Sequence, residues 1–324
     1  ILRASNPRPR GGLRRIMKFS QKISKLLLLL MSFLILSACS LPGVSSSQEK
    51  AIRVAGLATT EGRILNEIVR QMIEHETDLK VDTINNLGTS VVLHQAVMQG
   101  DADVTSVRYT GTEMAATLGI EPEKDPDKAL ELVQEIFAKD FKMKYYDSYG
   151  FDNTYAFMVT QETADRLQLK TVADLEKYKD QIDAGFDSQW LIREGDGYPG
   201  FVEAYGFELA NKHSMQIGLV YDALAAGKMD TVLGYSTDGR IASYNLVTLE
   251  DNLKFFPPYD ASPAATYEIL EEYPELDEVL SRLVGQIDTE TMQKLNYTAD
   301  HQLTEPAIVA KNFLEEHNYF REEE

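Results

Sequence analysis

The sequence predicts an α/β protein of two lobes with a ligand cleft between them. Three observations lead there. Residues 52–107 alternate strand-like and helix-like apolar blocks, and the stretch 155–243 repeats the theme. A charge-poor segment, Phe255-Phe256-Pro257-Pro258-Tyr259, offers a return crossing from the second lobe to the first. Alternation of this kind implies sheets covered by helices.

Taken in order, residues 52–55 predict a short strand. Residues 61–75 predict a helix, because Ile64, Leu65, Ile68, Val69, Met72 and Ile73 form one apolar stripe at helical spacing. Residues 79–84 alternate like a strand. Residues 90–98 predict a helix beginning after Gly88-Thr89, and 102–107 the next strand, so this run implies a largely parallel sheet. In the middle, 155–159 predict a strand and Thr171 opens a helix. Residues 216–226 predict one helical stripe ended by Gly227. Residues 230–233 read as a strand and 238–243 as a short helix. The tail 265–314 reads as helix-rich, with Pro274 and Pro306 marking helix starts. No short-period repeat is present.

The chain has 324 residues, enough for two lobes, and its 44% hydrophobic content is that of a globular protein. Eight Lys/Arg and no acidic residue fall in the first 38 positions. Without those eight, 24 of the 32 Lys/Arg face 51 acidic residues, a net charge of −27. A body that acidic repels phosphate backbones, which argues against a nucleic-acid partner. One cysteine permits no internal disulfide, and five scattered His show no metal-ligand spacing. No nucleophile elbow, zincin or phosphate-loop signature occurs, so no catalytic residue, metal or cofactor is expected. His94, on a helical stripe, reads as structural.

The N-terminus reads as an export and anchoring device. Met17-Lys18, Lys22 and Lys25 precede a strongly apolar stretch over 26–36. That is short for a membrane span and suits a signal-peptide core. Translation is expected to begin at Met17, the alternative being a long basic leader. Leu36-Ser37-Ala38-Cys39 resembles a bacterial lipobox, in which Cys39 is diacylated and becomes the first residue. Residues 40–50 follow as a Ser-rich flexible tether. The expected organisation is leader 1–39, tether 40–50, lobe I over 51–150 and 257–324, and lobe II over 151–256.

Tyrosines carry the functional signal. Tyr109, Tyr155, Tyr235 and Tyr259 each sit where a strand ends or a loop begins, the positions that line a cleft in α/β sheets. Singly, each fits core or surface packing. Together they fit one device: a trimethylammonium group donates no hydrogen bond, and aromatic faces hold it by cation–π attraction worth about 0.5–2 kcal/mol each. Three or four rings would support roughly micromolar binding.

Five segments then resemble a known family: Arg108-Tyr109-Thr110-Gly111-Thr112, the run from Tyr146-Asp147-Ser148-Tyr149-Gly150 through Tyr155-Ala156-Phe157, Met215-Gln216-Ile217-Gly218-Leu219-Val220-Tyr221-Asp222-Ala223, Tyr235-Ser236-Thr237-Asp238-Gly239-Arg240-Ile241, and Phe255-Phe256-Pro257-Pro258-Tyr259-Asp260. They are similar to the glycine betaine/carnitine/choline-binding proteins of Gram-positive bacteria, the OpuC and OpuB type, over essentially the whole chain after Cys39. The resemblance implies a type II periplasmic-binding-protein fold, each lobe a mixed sheet flanked by helices. It implies a cage formed by Tyr109, Tyr155, Tyr235 and Tyr259. It also implies a monomer, anchored at Cys39, that hands a quaternary-ammonium osmoprotectant to an ABC permease. Choline-restricted members carry Asp where this chain has Thr112, so a neutral hydroxyl here favours betaine or carnitine, or a broad range, over choline alone. Thr112 also fits a helix cap. Family members tend to carry a Gln where this chain has Leu57. Either Thr59 or Thr60 substitutes for it, or the carboxylate is held more loosely. Hinges are expected over 150–154 and 256–259. The rival readings are a choline-ester hydrolase, a non-transport surface lipoprotein, or a binder of another cationic solute such as a polyamine.

Overall fold

The computed structural model describes residues 51–193 and 195–321. The expected leader, the lipobox cysteine Cys39 and the whole tether 40–50 lie outside the described residues.

Two five-stranded sheets form the framework. The first contains β1 (Ile52–Leu57), β2 (Val81–Leu87), β3 (Val104–Tyr109), β4 (Met143–Tyr145) and, late in the chain, β10 (Ala261–Thr266), in the order β2-β1-β3-β10-β4. The second contains β5 (Tyr155–Thr160), β6 (Asp183–Asp187), β7 (Asn211–Met215), β8 (Thr231–Tyr235) and β9 (Leu246–Thr248), in the order β7-β6-β8-β5-β9. The plan is the same in both. Three strands pair in parallel, and an antiparallel fourth strand joins them to a short edge strand. The sheets are therefore mixed. The chain leaves the first sheet between β4 and β5 and returns between β9 and β10, and Asp152 bridges Asp260 where the two crossings meet.

Helix α1 (Thr60–Glu76) shows how the pattern becomes a core. Thr59 caps it by accepting from Gly62 N, and all six apolar stripe residues are fully buried. α2 (Ser90–Met98) starts after Thr89, which accepts from Val92 N. α3 (Pro126–Asp140) places Pro126 in its first turn and buries Ala129, Val133 and Phe137. In the second lobe, β5 alternates faces: Phe157 and Val159 join one apolar cluster, Ala156 and Met158 another on the opposite side. α4 (Gln161–Leu167), α5 (Tyr198–Tyr205), α6 (Val220–Ala225) and α7 (Arg240–Ser243) flank that sheet. The tail is helical as expected, with α8 (Tyr267–Glu272), α9 (Glu275–Ser281) after Pro274, α10 (Thr289–Asp300) and α11 (Pro306–Glu316) with Pro306 in its first turn.

One expectation is narrowed and two are corrected. The strands of the 52–107 run pair in parallel as expected, but the sheet as a whole is mixed, because β10 runs antiparallel to both its neighbours. Its sequence, Ala-Ser-Pro-Ala-Ala-Thr, holds a proline that argues against an interior strand. The structure accommodates Pro263 at a register irregularity between Ser262 and Ala264. The helix expected over 216–226 divides into a 3₁₀ turn (Ile217–Leu219) and α6, with Leu219 half-exposed. The helix opened by Thr171 is 3₁₀ (Val172–Tyr178), held by a reciprocal cap between Thr171 and Asp174. His94 lies edge-on to Phe137 and Phe141, and burial lowers its imidazole to about 4, a neutral packing residue.

Candidate functional site

The strand ends of the two sheets meet at one cavity of about 710 Å³. Tyr109 closes β3 and Tyr235 closes β8. Tyr155 opens β5, which runs antiparallel to β8, and Tyr259 precedes β10, which runs antiparallel to β3. Topology thus delivers all four rings to the same edge, and all four line the cavity.

Each ring is fixed by local chemistry. Tyr155 and Tyr235 are directly opposed across the β5–β8 ladder, so they share a face, with ring centroids 5.1 Å apart and planes at 40°. Phe256 backs Tyr155 at 5.7 Å. The Tyr221 hydroxyl accepts from Tyr235 N at 2.6 Å and faces the Tyr235 carbonyl oxygen at 3.2 Å. Gly234 is required there, since a Cβ would stand 2.6 Å from that hydroxyl. Across the cleft, Gly111 N donates to Pro258 O at 2.9 Å. A Cβ on Gly111 would press to 2.6 Å from that oxygen and 3.1 Å from the Tyr259 ring. Tyr259 N donates to Asp152 Oδ1 at 2.8 Å, and its hydroxyl donates to Asp196 Oδ2 at 3.2 Å.

Three of these phenols, Tyr109, Tyr235 and Tyr259, are held neutral. Burial pushes the Tyr109 hydroxyl well above its ordinary range, and the Glu61 carboxylate reinforces this. Burial raises Tyr235, with Tyr155 adding to it, and raises Tyr259, with Asp196 adding. Neutral rings with protonated hydroxyls suit a cation that cannot donate a hydrogen bond.

Thr112 lines the same cavity and makes no side-chain capping bond. The structure does not bring Thr59 or Thr60 there. Thr59 Oγ1 is committed to Gly62 N as the α1 cap, and Thr60 Oγ1 donates to Asp300 Oδ1 at 2.7 Å. These two threonines do not fill the position that Leu57 vacates.

Sequence reasoning missed the charged residues of the site. Arg193 lines the cavity with its guanidinium 5.1 Å from the Tyr155 ring centroid, and its Nε lies 3.1 Å from Asp196 Oδ1. Burial opposes its charge, but Tyr155 and Asp196 outweigh that and raise it above its usual value. Its buried Nε and Nη2 both lack a hydrogen-bond partner, although Nε is in ion-pair contact with Asp196, so Nη2 is free to donate. Lys124 lies on the same lining. Asn153, on the crossing, also lines the cavity and donates to the buried Glu61 carboxylate at 2.8 Å. Arg193 sits in a glycine-bearing segment, Arg193-Glu194-Gly195-Asp196-Gly197, the composition of a close-approach loop. That was the available signal. Among the described residues, no group of three or more His, Cys, Asp or Glu could hold a metal ion.

This arrangement defines a two-lobed solute-binding protein. The model of the substrate-binding domain of the ABC-type glycine betaine transport system matches residues 50–316, and the chain belongs to that family. The chain is 53% identical over 293 residues to the carnitine transport binding protein OpuCC of Listeria monocytogenes, covering 90% of this chain and 95% of that one. It is 32% identical over 283 residues to the ergothioneine transport permease/ergothioneine binding protein EgtU of Helicobacter pylori, covering 87% of this chain and 50% of that longer one. A crystal structure described as a glycine betaine/carnitine/choline ABC transporter superposes with a TM-score of 0.81 at 49% identity, covering 83% of this chain and all of that one. The chain is thus the extracytoplasmic substrate-binding component of an ABC importer, and not an enzyme. Among the described residues, no helix is long and apolar enough to cross a membrane.

Proposed function

We propose that this chain captures quaternary-ammonium osmoprotectants, with carboxylated ones such as glycine betaine and carnitine held better than choline. The observation that carries the reading is the convergence of Tyr109, Tyr155, Tyr235 and Tyr259 on one cavity. Their faces hold the methylated nitrogen, and Thr112 and the free Nη2 of Arg193 meet the carboxylate. A polyamine would need unpaired acids in the lining. Of the two acids in the lining, Asp196 is occupied by Arg193 and Tyr259, and Glu121 shares the lining with two cations, Arg193 and Lys124.

Lobe I (51–150 and 257–324) and lobe II (151–256) close over the cargo about hinges at 150–154 and 256–259. Contacts made only in the bound state stabilise closure. The closed monomer, tethered through Cys39 and 40–50 to the outer membrane face, docks on the permease. A thermal-shift panel of glycine betaine, carnitine, choline and putrescine tests this. Melting temperatures should rise with the first three and not with putrescine. A rise with putrescine alone would overturn the cargo assignment.

A further inference from the structure

Behind the Tyr109 ring lies a charge that the binding reading does not use. Glu61, in the first turn of α1, is 5% exposed. Its Oε1 accepts from the Tyr109 hydroxyl at 2.5 Å and from Asn153 Nδ2 at 2.8 Å. Its Oε2 accepts from Asn296 Nδ2 at 3.1 Å. Donors on both oxygens at a helix N-terminus describe a carboxylate. All three donors are neutral, so they hold the charge without cancelling it.

We propose that Glu61 is a positioning residue that sets the cage's preference for a cation, acting through Tyr109. The inference rests on the cage reading. Three consequences follow from the geometry. The Tyr109 hydroxyl is locked toward Glu61, which fixes the plane of the ring. A phenol donating to an anion carries more electron density on its face, which strengthens cation–π attraction. The buried negative charge also attracts a trimethylammonium group on the far side of the ring, in a site where little water screens it. The last two effects do nothing for a neutral ligand of the same shape.

The same carboxylate links three walls of the cleft. Asn153 belongs to the crossing between the lobes. Asn296 Nδ2, on α10, also donates to Thr237 O at 2.9 Å, two residues beyond Tyr235. Gln293 Nε2, one turn earlier on that helix, donates to Ser236 O at 2.7 Å. Glu61 therefore stands where the Tyr109 wall, the crossing and the loop after Tyr235 are tied together.

The test compares two ligand pairs of equal shape by titration calorimetry: glycine betaine with 3,3-dimethylbutanoate, and choline with 3,3-dimethylbutan-1-ol. In Glu61→Gln, choline should weaken by about tenfold while the neutral 3,3-dimethylbutan-1-ol keeps its wild-type affinity, and glycine betaine should weaken by about tenfold relative to 3,3-dimethylbutanoate, an anion that the lost charge no longer repels. Equal weakening of both members of each pair would reduce Glu61 to a scaffold, and no weakening of either would remove it from the site; each result overturns the proposal. If Glu61→Gln fails to melt cooperatively, Tyr109→Phe keeps the ring and breaks the link. Loss confined to the ammonium ligands then supports the proposal, and equal or no loss overturns it. A wild-type protein that binds neither ammonium ligand would instead refute the cage reading itself, and the inference with it.

Discussion

Tyr109 and Tyr235 each close a central parallel strand, one in each of two sheets built on the same plan, yet they are held very differently. Tyr109 is 9% exposed, with its hydroxyl bonded to a buried carboxylate. Tyr235 is 39% exposed and rests against Tyr155, itself partly open to the cavity. The first-sheet wall is set by packing and buried hydrogen bonds. The second-sheet wall keeps apolar ring surface uncovered. Covering that surface is a gain available only when cargo and the opposing lobe are in place, which is what drives a two-lobed binder to close.

The comparison breaks most readily at Tyr109. Tyr109→Ala should weaken glycine betaine binding about a hundredfold and lower the melting temperature, because it removes a ring and strips a donor from a buried carboxylate. Tyr235→Ala should cost about tenfold in calorimetric affinity and leave the melting temperature unchanged. Equal melting temperatures in the two variants would erase the contrast. Arg193→Ala should weaken glycine betaine about tenfold and choline by less than about twofold, since only the former offers a carboxylate. Gly234→Ala should destabilise the second lobe by about 1–3 kcal/mol in urea, because the new methyl displaces the Tyr221 hydroxyl that holds Tyr235.

The smallest effect concerns the crossing. Burial raises the Asp152 carboxyl from 3.8 to about 7, and Asp260 adds to it, although Tyr259 N donates to it. Because the folded value lies above the unfolded one, the native state binds the extra proton. This contribution to stability is complete below pH 3.8 and is lost as pH rises through about 7. Asp152→Asn removes that decline. Its melting temperature relative to wild type should therefore climb across this window, and a constant difference would contradict the assignment.

How much of this was legible in the sequence differs from element to element for physical reasons. The α1 stripe was readable because helical periodicity and burial coincide at all six positions. β10 was not, because its small residues and Pro263 carry no strand signature, and its place is decided by β3 and β4. β7 was silent too: its sequence is Asn-Lys-His-Ser-Met, largely exposed on an edge. The cleft position of the four tyrosines was readable because a strand end is a local feature and the family resemblance singles out the same four. Glu61 and Arg193 were not. In a chain with 51 acidic residues, one carboxylate is marked only by burial, and burial is a property of the packed fold.

The central claim is that four rings from two lobes enclose one methylated nitrogen. A crystal structure with glycine betaine bound tests it most directly. The account predicts the trimethylammonium group within about 6 Å of the centroids of Tyr109, Tyr155, Tyr235 and Tyr259 together. A betaine seated away from those rings, or touching those of one lobe alone in a closed structure, would contradict it.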